Sequence, residues 1–297
     1  METANGISRS RLAAWVELSS VRTFLRTPLT NPADQQHRIW LIQHHGLYSA
    51  PLSKSSNQRV VDIGCGTGIW AIAFATEHPD SRVLGLDITL PQPKSVPPNC
   101  SFAVADAEGD WSFATEPFDL IYGRMLINSI RNWPRFMKCC LQHLKPGGWL
   151  ELSDVAHRFF AEDGCGEADS PMLRWWRVVF QESSMSNGID IDDTYKHAQQ
   201  MRDAGFTDVR ERVFKWPVGS ARASTQEEKA IGDLLYQNLQ VLIGGVTRTA
   251  VQHGDLRGMT AQQAQALADE AKRDVVENAD RHGYYMHFAT HVGQAPR

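Results

Sequence analysis

A chain of 297 residues, 42% hydrophobic and 22% charged, is long enough to bury a large core and has the balance of an ordered globular protein. Its 30 basic and 34 acidic side chains leave a formal charge of -4, and no Lys/Arg run is present, which speaks against nucleic acid as a partner. No stretch approaches the ~18 apolar residues of a membrane span, Met1 to Leu12 lacks a signal-peptide core, and the five cysteines (Cys65, Cys100, Cys139, Cys140, Cys165) form no C-x-x-C pair. Neither a disulfide framework, a metal site nor a membrane partner is expected, and the expected compartment is the cytoplasm, with the nucleus left open.

Leu12 to Leu25 and Ala33 to Leu47 carry apolar residues at helical intervals on either side of the breaker Thr27 to Pro32, which predicts a helical cap over 1–57. The second helix carries His44 and His45, candidates for contact with an acceptor. Arg59 to Gly68 (R-V-V-D-I-G-C-G-T-G) reads as a buried strand, a glycine turn and the start of a helix through Ile69, Ala71, Ile72 and Phe74. Glycine serves where backbone turns at positive φ or where a ligand lies against it, and Gly64, Gly66 and Gly68 leave this turn bare. A dinucleotide fingerprint, G-x-G-x-x-G, would need glycine at 69, where Ile69 stands.

Arg82 to Asp87 is predicted as a second strand that ends on an acid about 20 residues past the glycines, where a carboxylate meets ribose hydroxyls. Ser101 to Ala105 follows as a third strand, then Asp106 and Ala107, with Trp111 and Phe113 covering that side. Phe118 to Tyr122 is the fourth strand, and its end falls at the switch point of a doubly wound sheet, where substrate meets cofactor. Trp133 to Leu144 is an amphipathic helix with Pro134 in its first turn, L-K-P-G-G is a sharp turn, and Trp149 to Leu152 is the fifth strand.

Ala161 to Gly188 departs from strict alternation, and the insertion 156–205 is expected to act as a lid. Trp175 and Trp176 are adjacent on its helix and point about 100° apart, so one is expected in the core and the other lining a pocket. Asp193 to Ala204 is a helix C-capped by Gly205, and Thr207 to Val213 with Lys215-Trp216 is the sixth strand. Helices follow at Glu227 to Ile243 and at Thr260 to Asn278, the latter opened by a capping box, and Tyr284 to Val292 is the last strand. The chain therefore reads as α/β, a Rossmann-like doubly wound seven-stranded sheet over 58–297, with core 58–155 and C-terminal strands and helices over 206–297.

The G-x-G-x-G loop after Asp62 and the L-K-P-G-G before the fifth strand resemble motifs of class I S-adenosylmethionine (SAM) methyltransferases. A longer match is to the LaeA-like branch of fungal methyltransferases, whose members act in or regulate secondary metabolism. It is carried by Gln43-His44-His45, D-I-G-C-G-T-G-I-W-A (Asp62 to Ala71), G-L-D-I-x-x-x-Q-P (Gly85 to Pro93), V-P-P-N-C-x-F (Val96 to Phe102), D-A-E-x-x-W (Asp106 to Trp111), F-D-L-I-x-x-R (Phe118 to Arg124) and L-K-P-G-G-W-x-E (Leu144 to Glu151). The resemblance implies SAM binding by Asp62, Gly64, Gly66, Gly68, Asp87, Ile88, Asp106 and Ala107, with Tyr122 and Arg124 beside them and S-adenosylhomocysteine as product.

It further implies methyl transfer to an O, N or S nucleophile of a small metabolite. Tyr122, His44 and His45 are then the catalytic candidates, and Arg124, Asn128, Trp175 and Trp176 the substrate-lining ones. Two positions depart from the pattern: Tyr122 stands where many relatives have histidine, and Asn128 where they often have a small residue. The D/N-P-P-Y tetrad of many nucleic-acid and amide N-methyltransferases is replaced by Tyr122-Gly123-Arg124-Met125. A protein acceptor, a regulator that binds SAM and works through a protein partner, and a reaction that leaves SAM unconsumed stay open beside this reading, as does a homodimer.

Overall fold

The computed structural model describes residues 32–53, 57–190, 192–254, 256 and 258–297. Its spine is a seven-stranded sheet in the order β3-β2-β1-β4-β5-β7-β6. β1 (Arg59–Ile63) pairs in parallel with β2 (Arg82–Asp87) and β4 (Phe118–Arg124); β3 (Cys100–Val104) extends one side and β5 (Leu144–Ala161) the other. β7 (Tyr284–Gln294) then runs antiparallel between β5 and β6 (Thr207–Pro217). The central parallel strands read as near-continuous apolar runs because helices cover both of their faces. Val60, Leu120 and Tyr122 pack with Trp70 and Phe74 of α2 (Ile69–Glu77), while Val61, Ile121 and Leu150 pack with Phe136 and Met137 of α3 (Trp133–His143).

α1 (Pro32–His44) is the second of the two expected N-terminal helices; the first, Leu12 to Leu25, lies outside the described residues. It lies along α7 (Gln226–His253), and α8 (Ala261–His282) packs in turn on α7. The insertion after β5 is one helical run in three parts, α4 (Pro171–Trp175), a π-helical stretch (Trp176–Gln181) and α5 (Glu182–Ser186). A short 3₁₀ turn (Asp193–Lys196) leads into α6 (His197–Ala204), which Gly205 ends at φ 107. No helix among the described residues is long and apolar enough to cross a membrane.

Three elements differ from the sequence reading. β5 continues to Ala161 because β7 follows it the whole way, pairing Ala161 with Tyr284, with a register shift between Ala156 and Phe159 that blurs the alternation. L-K-P-G-G is held inside that strand as an irregularity, where pairing jumps from Phe118↔Leu144 to Leu120↔Trp149. α7 runs on past Gly244-Gly245 to His253, since tertiary packing outweighs the ~1 kcal/mol cost of a helical glycine.

Candidate functional site

The three glycines close β1 in left-handed backbone, at φ 63, 57 and 78 for Gly64, Gly66 and Gly68, yet they are not bare for one shared reason. A Cβ at Gly68 would lie 2.5 Å from the Phe102 ring, and one at Gly64 2.5 Å from Leu126, so these two make room for the protein's own packing. Gly66 is different. It is exposed, and nothing stands within 4 Å of where its Cβ would be. Its N–H donates to Asp87 Oδ2 at 2.8 Å, so the carboxylate at the tip of β2 fixes the ledge, while Asp87 Oδ1 accepts from Thr89 N at 3.1 Å.

Two large apolar side chains flank this ledge in water, Ile88 at 74% exposure and Val104 at 60%. Beyond β3, Asp106 accepts from Glu108 N at 2.9 Å, and Trp111 donates to the carbonyl of Ala107 at 3.0 Å. Beneath the ledge lies Asp62, its backbone at β1 opposite Tyr122 of β4. Burial pushes its carboxyl up to about 7, against the pull of Arg124, and one carboxylate oxygen is buried without a hydrogen-bond partner. An open backbone ledge, an acid at the ribose position, exposed aliphatics beside it and an unsatisfied buried acceptor are the features an adenosyl amino acid would complete. The residues present fit SAM.

On the acceptor side the structure changes several expectations. His44 is enclosed by Trp40 at 5.0 Å and Phe214 at 5.9 Å, its ring nitrogens meeting Ser49 Oγ at 3.1 Å and Thr290 Oγ1 at 3.0 Å. Burial, with Arg212 and Arg124 nearby, lowers it to about 3, so it is a neutral packing residue and is corrected as an acceptor contact. Tyr122 is likewise corrected: it is stacked on Trp70 at 3.8 Å, 1% exposed, and burial pushes its phenol far up. Trp175 is fully buried with Nε1 donating to Thr247 at 2.9 Å, so it belongs to the core. Trp176 stacks on Phe180 at 4.4 Å and edges a recess of about 530 Å³ with Arg158 and Phe159, to which no glycine-loop residue contributes. Neither tryptophan reaches the ledge, because the insertion helix is sunk between β5 and α8.

The remaining candidates are less enclosed. His45 is at φ 53, its Nε2 3.8 Å from Glu227. Arg124 closes β4 with its guanidinium 3.0 Å from His37 of α1, and Asn128 is exposed within 3.4 Å of Ser184 of α5. Two buried acids do work that the sequence reading did not assign. Asp154 accepts from the N–H groups of Leu126 and Ile127 at 2.8 and 2.9 Å, and so pins the loop after β4 against the glycine turn. Glu151 accepts from Ser49 and Ala50 N–H groups at 2.6–3.0 Å, tying the segment after α1 to β5. Burial lifts both, Glu151 to about 7 and Asp154 to about 8, against those N–H donors. Glu151 closes the L-K-P-G-G-W-x-E match, and the sequence signal for Asp154 was an acid in an otherwise apolar strand.

A groove of about 740 Å³ adjoins the ledge along the outer face of α2, bordered by His37, Leu41, Leu47, Ile72 and Lys94. Thr67 Oγ1 donates to Asp34 at 3.2 Å across its inner end.

A doubly wound sheet with an antiparallel seventh strand between the fifth and sixth, and a G-x-G-x-G ledge steadied by the β2 acid, defines a SAM-dependent class I methyltransferase. The chain belongs to the family described as methyltransferase domain, whose profile matches residues 33–211. It is 32% identical to the methyltransferase pytC of Aspergillus terreus over 278 residues, 91% of this chain and 83% of that one. It is 28% identical to the protein-methionine methyltransferase laeA of Emericella nidulans, over 89% of this chain and 71% of that one. Among solved structures it is similar to a Haemonchus contortus phosphoethanolamine N-methyltransferase holding S-adenosylhomocysteine, with TM-score 0.50 and 17% identity. That match covers 95% of this chain and 61% of that one and speaks to the fold alone.

Proposed function

We propose that the protein moves the methyl group of SAM to an oxygen, nitrogen or sulfur atom of a small secondary metabolite. The observation that carries this reading is the exposed, unobstructed backbone at Gly66, held by Asp87. Bound SAM supplies a methyl on a positively charged sulfur, which leaves without acid assistance. Asp87 would accept the ribose hydroxyl hydrogens, Ile88 and Val104 would cover the base, Asp106 would face its amino group, and Asp62 would receive the ammonium. The chain's task is then alignment and exclusion of water, and orientation of this kind is worth ~7–11 kcal/mol of barrier.

On the acceptor side, Arg124, Asn128 and His45 are the proposed contacts, with the loop that carries Arg124 and Asn128 fixed by Asp154. The relation to the methyltransferase pytC across 91% of the chain supports methyl transfer as the activity. The relation to laeA, whose name gives a protein methionine as acceptor, supports the second reading, a protein substrate or partner. Incubating the purified protein with methyl-labelled SAM and an extract of producing cells separates them. Label in a low-mass organic-soluble product supports the first reading, label in precipitated protein supports the second, and label that stays in SAM while binding is intact overturns both as enzymes.

A further inference from the structure

Asp163, Cys165 and His282 lie outside everything described so far. Asp163 and Cys165 sit on the tight turn after β5, and His282 is the last residue of α8. A carboxylate oxygen, a thiol sulfur and an imidazole nitrogen from these three side chains lie within 4.8 Å of one another. Asp163 Oδ2 and His282 Nδ1 are already 2.7 Å apart, the imidazole is buried, the cysteine half-buried, and the carboxylate reaches solvent. That leaves an entry path on one side only.

We propose that these residues form a binding site for a borderline-soft divalent cation of the zinc type. The donor set decides the class. Thiolate and imidazole select zinc-like ions over magnesium and calcium, which demand oxygen ligands. A tetrahedral zinc ion takes sulfur at about 2.3 Å and nitrogen or oxygen at about 2.0–2.2 Å, so its ligand atoms stand roughly 3.3–3.8 Å apart. The Asp163–His282 hydrogen bond opens slightly and the sulfur closes in, movements within reach of side-chain rotation. On binding, the Cys165 S–H bond breaks, its proton passes to solvent, and the sulfur lone pair forms the metal bond. The hydrogen that His282 Nδ1 shares with Asp163 is likewise given to solvent while Nε2 holds the ring's one proton, which frees the Nδ1 lone pair for the metal. Three protein ligands leave a fourth position for water.

The absence of C-x-x-C spacing did not expose this set, because its ligands come from two segments that meet only in the fold. Its position gives it a consequence. Five residues beyond Cys165, Ser170 Oγ donates to the buried Asp274 of α8 at 2.8 Å and meets Tyr284 Oη at 2.6 Å. A cation at Asp163, Cys165 and His282 would add a second tie between the root of the insertion helix and the end of α8, and so stiffen the junction without touching the cofactor ledge.

The test uses the full chain and Co²⁺ as a spectroscopic stand-in, followed by Zn²⁺ in competition with a chromophoric chelator. The expected result is one equivalent bound, a thiolate-to-cobalt charge-transfer band, and a rise in Tm on adding zinc. Cys165→Ser should remove the band and weaken zinc binding about tenfold or more, and Asp163→Asn, which keeps the shape of the side chain and removes its charge, should weaken it as well. Cys139→Ser is the control, since Cys139 lies beside His143 in another cysteine–histidine pair and its loss should change nothing. A cobalt spectrum without the charge-transfer band, zinc affinity unchanged in Cys165→Ser, or a band lost in Cys139→Ser would each overturn the site.

Discussion

Gly66 and Gly68 share a motif and a left-handed backbone, yet alanine at each should fail in a different way. Any L-residue at φ 57 or 78 costs about 1–2 kcal/mol of backbone strain. At Gly66 that is the whole cost to the fold, because the new methyl meets open space. At Gly68 the methyl lands 2.5 Å from the Phe102 ring, and overpacking of this kind adds about 1–3 kcal/mol. With ~2–4 °C of Tm per kcal/mol in a domain of this size, Gly66→Ala should lose about 2–8 °C and Gly68→Ala about 4–20 °C. Calorimetric SAM affinity should order them the other way. Gly66→Ala places its methyl where the ligand would lie and should weaken binding at least ~10-fold, about 1.4 kcal/mol, while folded Gly68→Ala should bind within about threefold of the parent. Trimming the ring with Phe102→Leu should restore much of the Tm of Gly68→Ala and none of the affinity of Gly66→Ala. Undiminished SAM affinity in Gly66→Ala would refute the assignment of that ledge to the cofactor.

Asp87→Ala should weaken SAM binding by about 1.5–3 kcal/mol through lost charge-assisted hydrogen bonds, and an unchanged calorimetric constant would contradict the ribose role. Trp175→Ala removes a fully buried indole and should cost about 3–5 kcal/mol in denaturant unfolding, whereas a near-neutral result would return that residue to the list of pocket candidates. Glu151, lifted by burial from 4.5 to about 7, holds a proton in the fold that it releases when unfolded. Stability linked to it is full below pH 4.5 and is lost as pH rises to about 7, so the parent's advantage over Glu151→Gln should shrink from pH 5 to pH 8. His44 has the opposite sign: lowered by burial to about 3, it must stay neutral in the fold. Stability linked to it is present above pH 6.5 and drains as pH falls, a loss that His44→Gln should flatten in acid titrations followed by circular dichroism.

The glycine turn, the acid at Asp87, the order of the strands and the capping box at Thr260 were legible because each is written in adjacent residues or short periods. The roles of Gly64 and Gly68 were not, since Leu126 arrives from the loop after β4 and Phe102 from the middle of β3. His44 looked available because it closes a helix read as a cap beside the cofactor; its real neighbours, Thr290, Ser49 and Phe214, come from β7, the segment after α1, and β6. The two tryptophans were reasoned from helix geometry alone, which says how far apart they point and nothing about what surrounds the helix. Here Trp175 meets the core and Trp176 edges a recess with Arg158 and Phe159 that no residue of the glycine loop lines. The insertion is correspondingly no detachable flap: Met172, Trp175 and Val179 are each fully buried, and excising the segment would open the core itself.

The wide turn at Trp176–Gln181 has a bearing on how this chain and its relatives diverge. A π turn is what an α-helix becomes when it absorbs one surplus residue without unwinding on either side. Deleting a single position there would let the run rewind as ordinary α-helix with Glu182–Ser186 facing as they do now and Ser184 still within 3.4 Å of Asn128. A deletion elsewhere in the insertion helix, where no surplus residue is stored, would instead turn Glu182–Ser186 by roughly 100° and carry Ser184 off Asn128 with every side chain near Gly66 untouched.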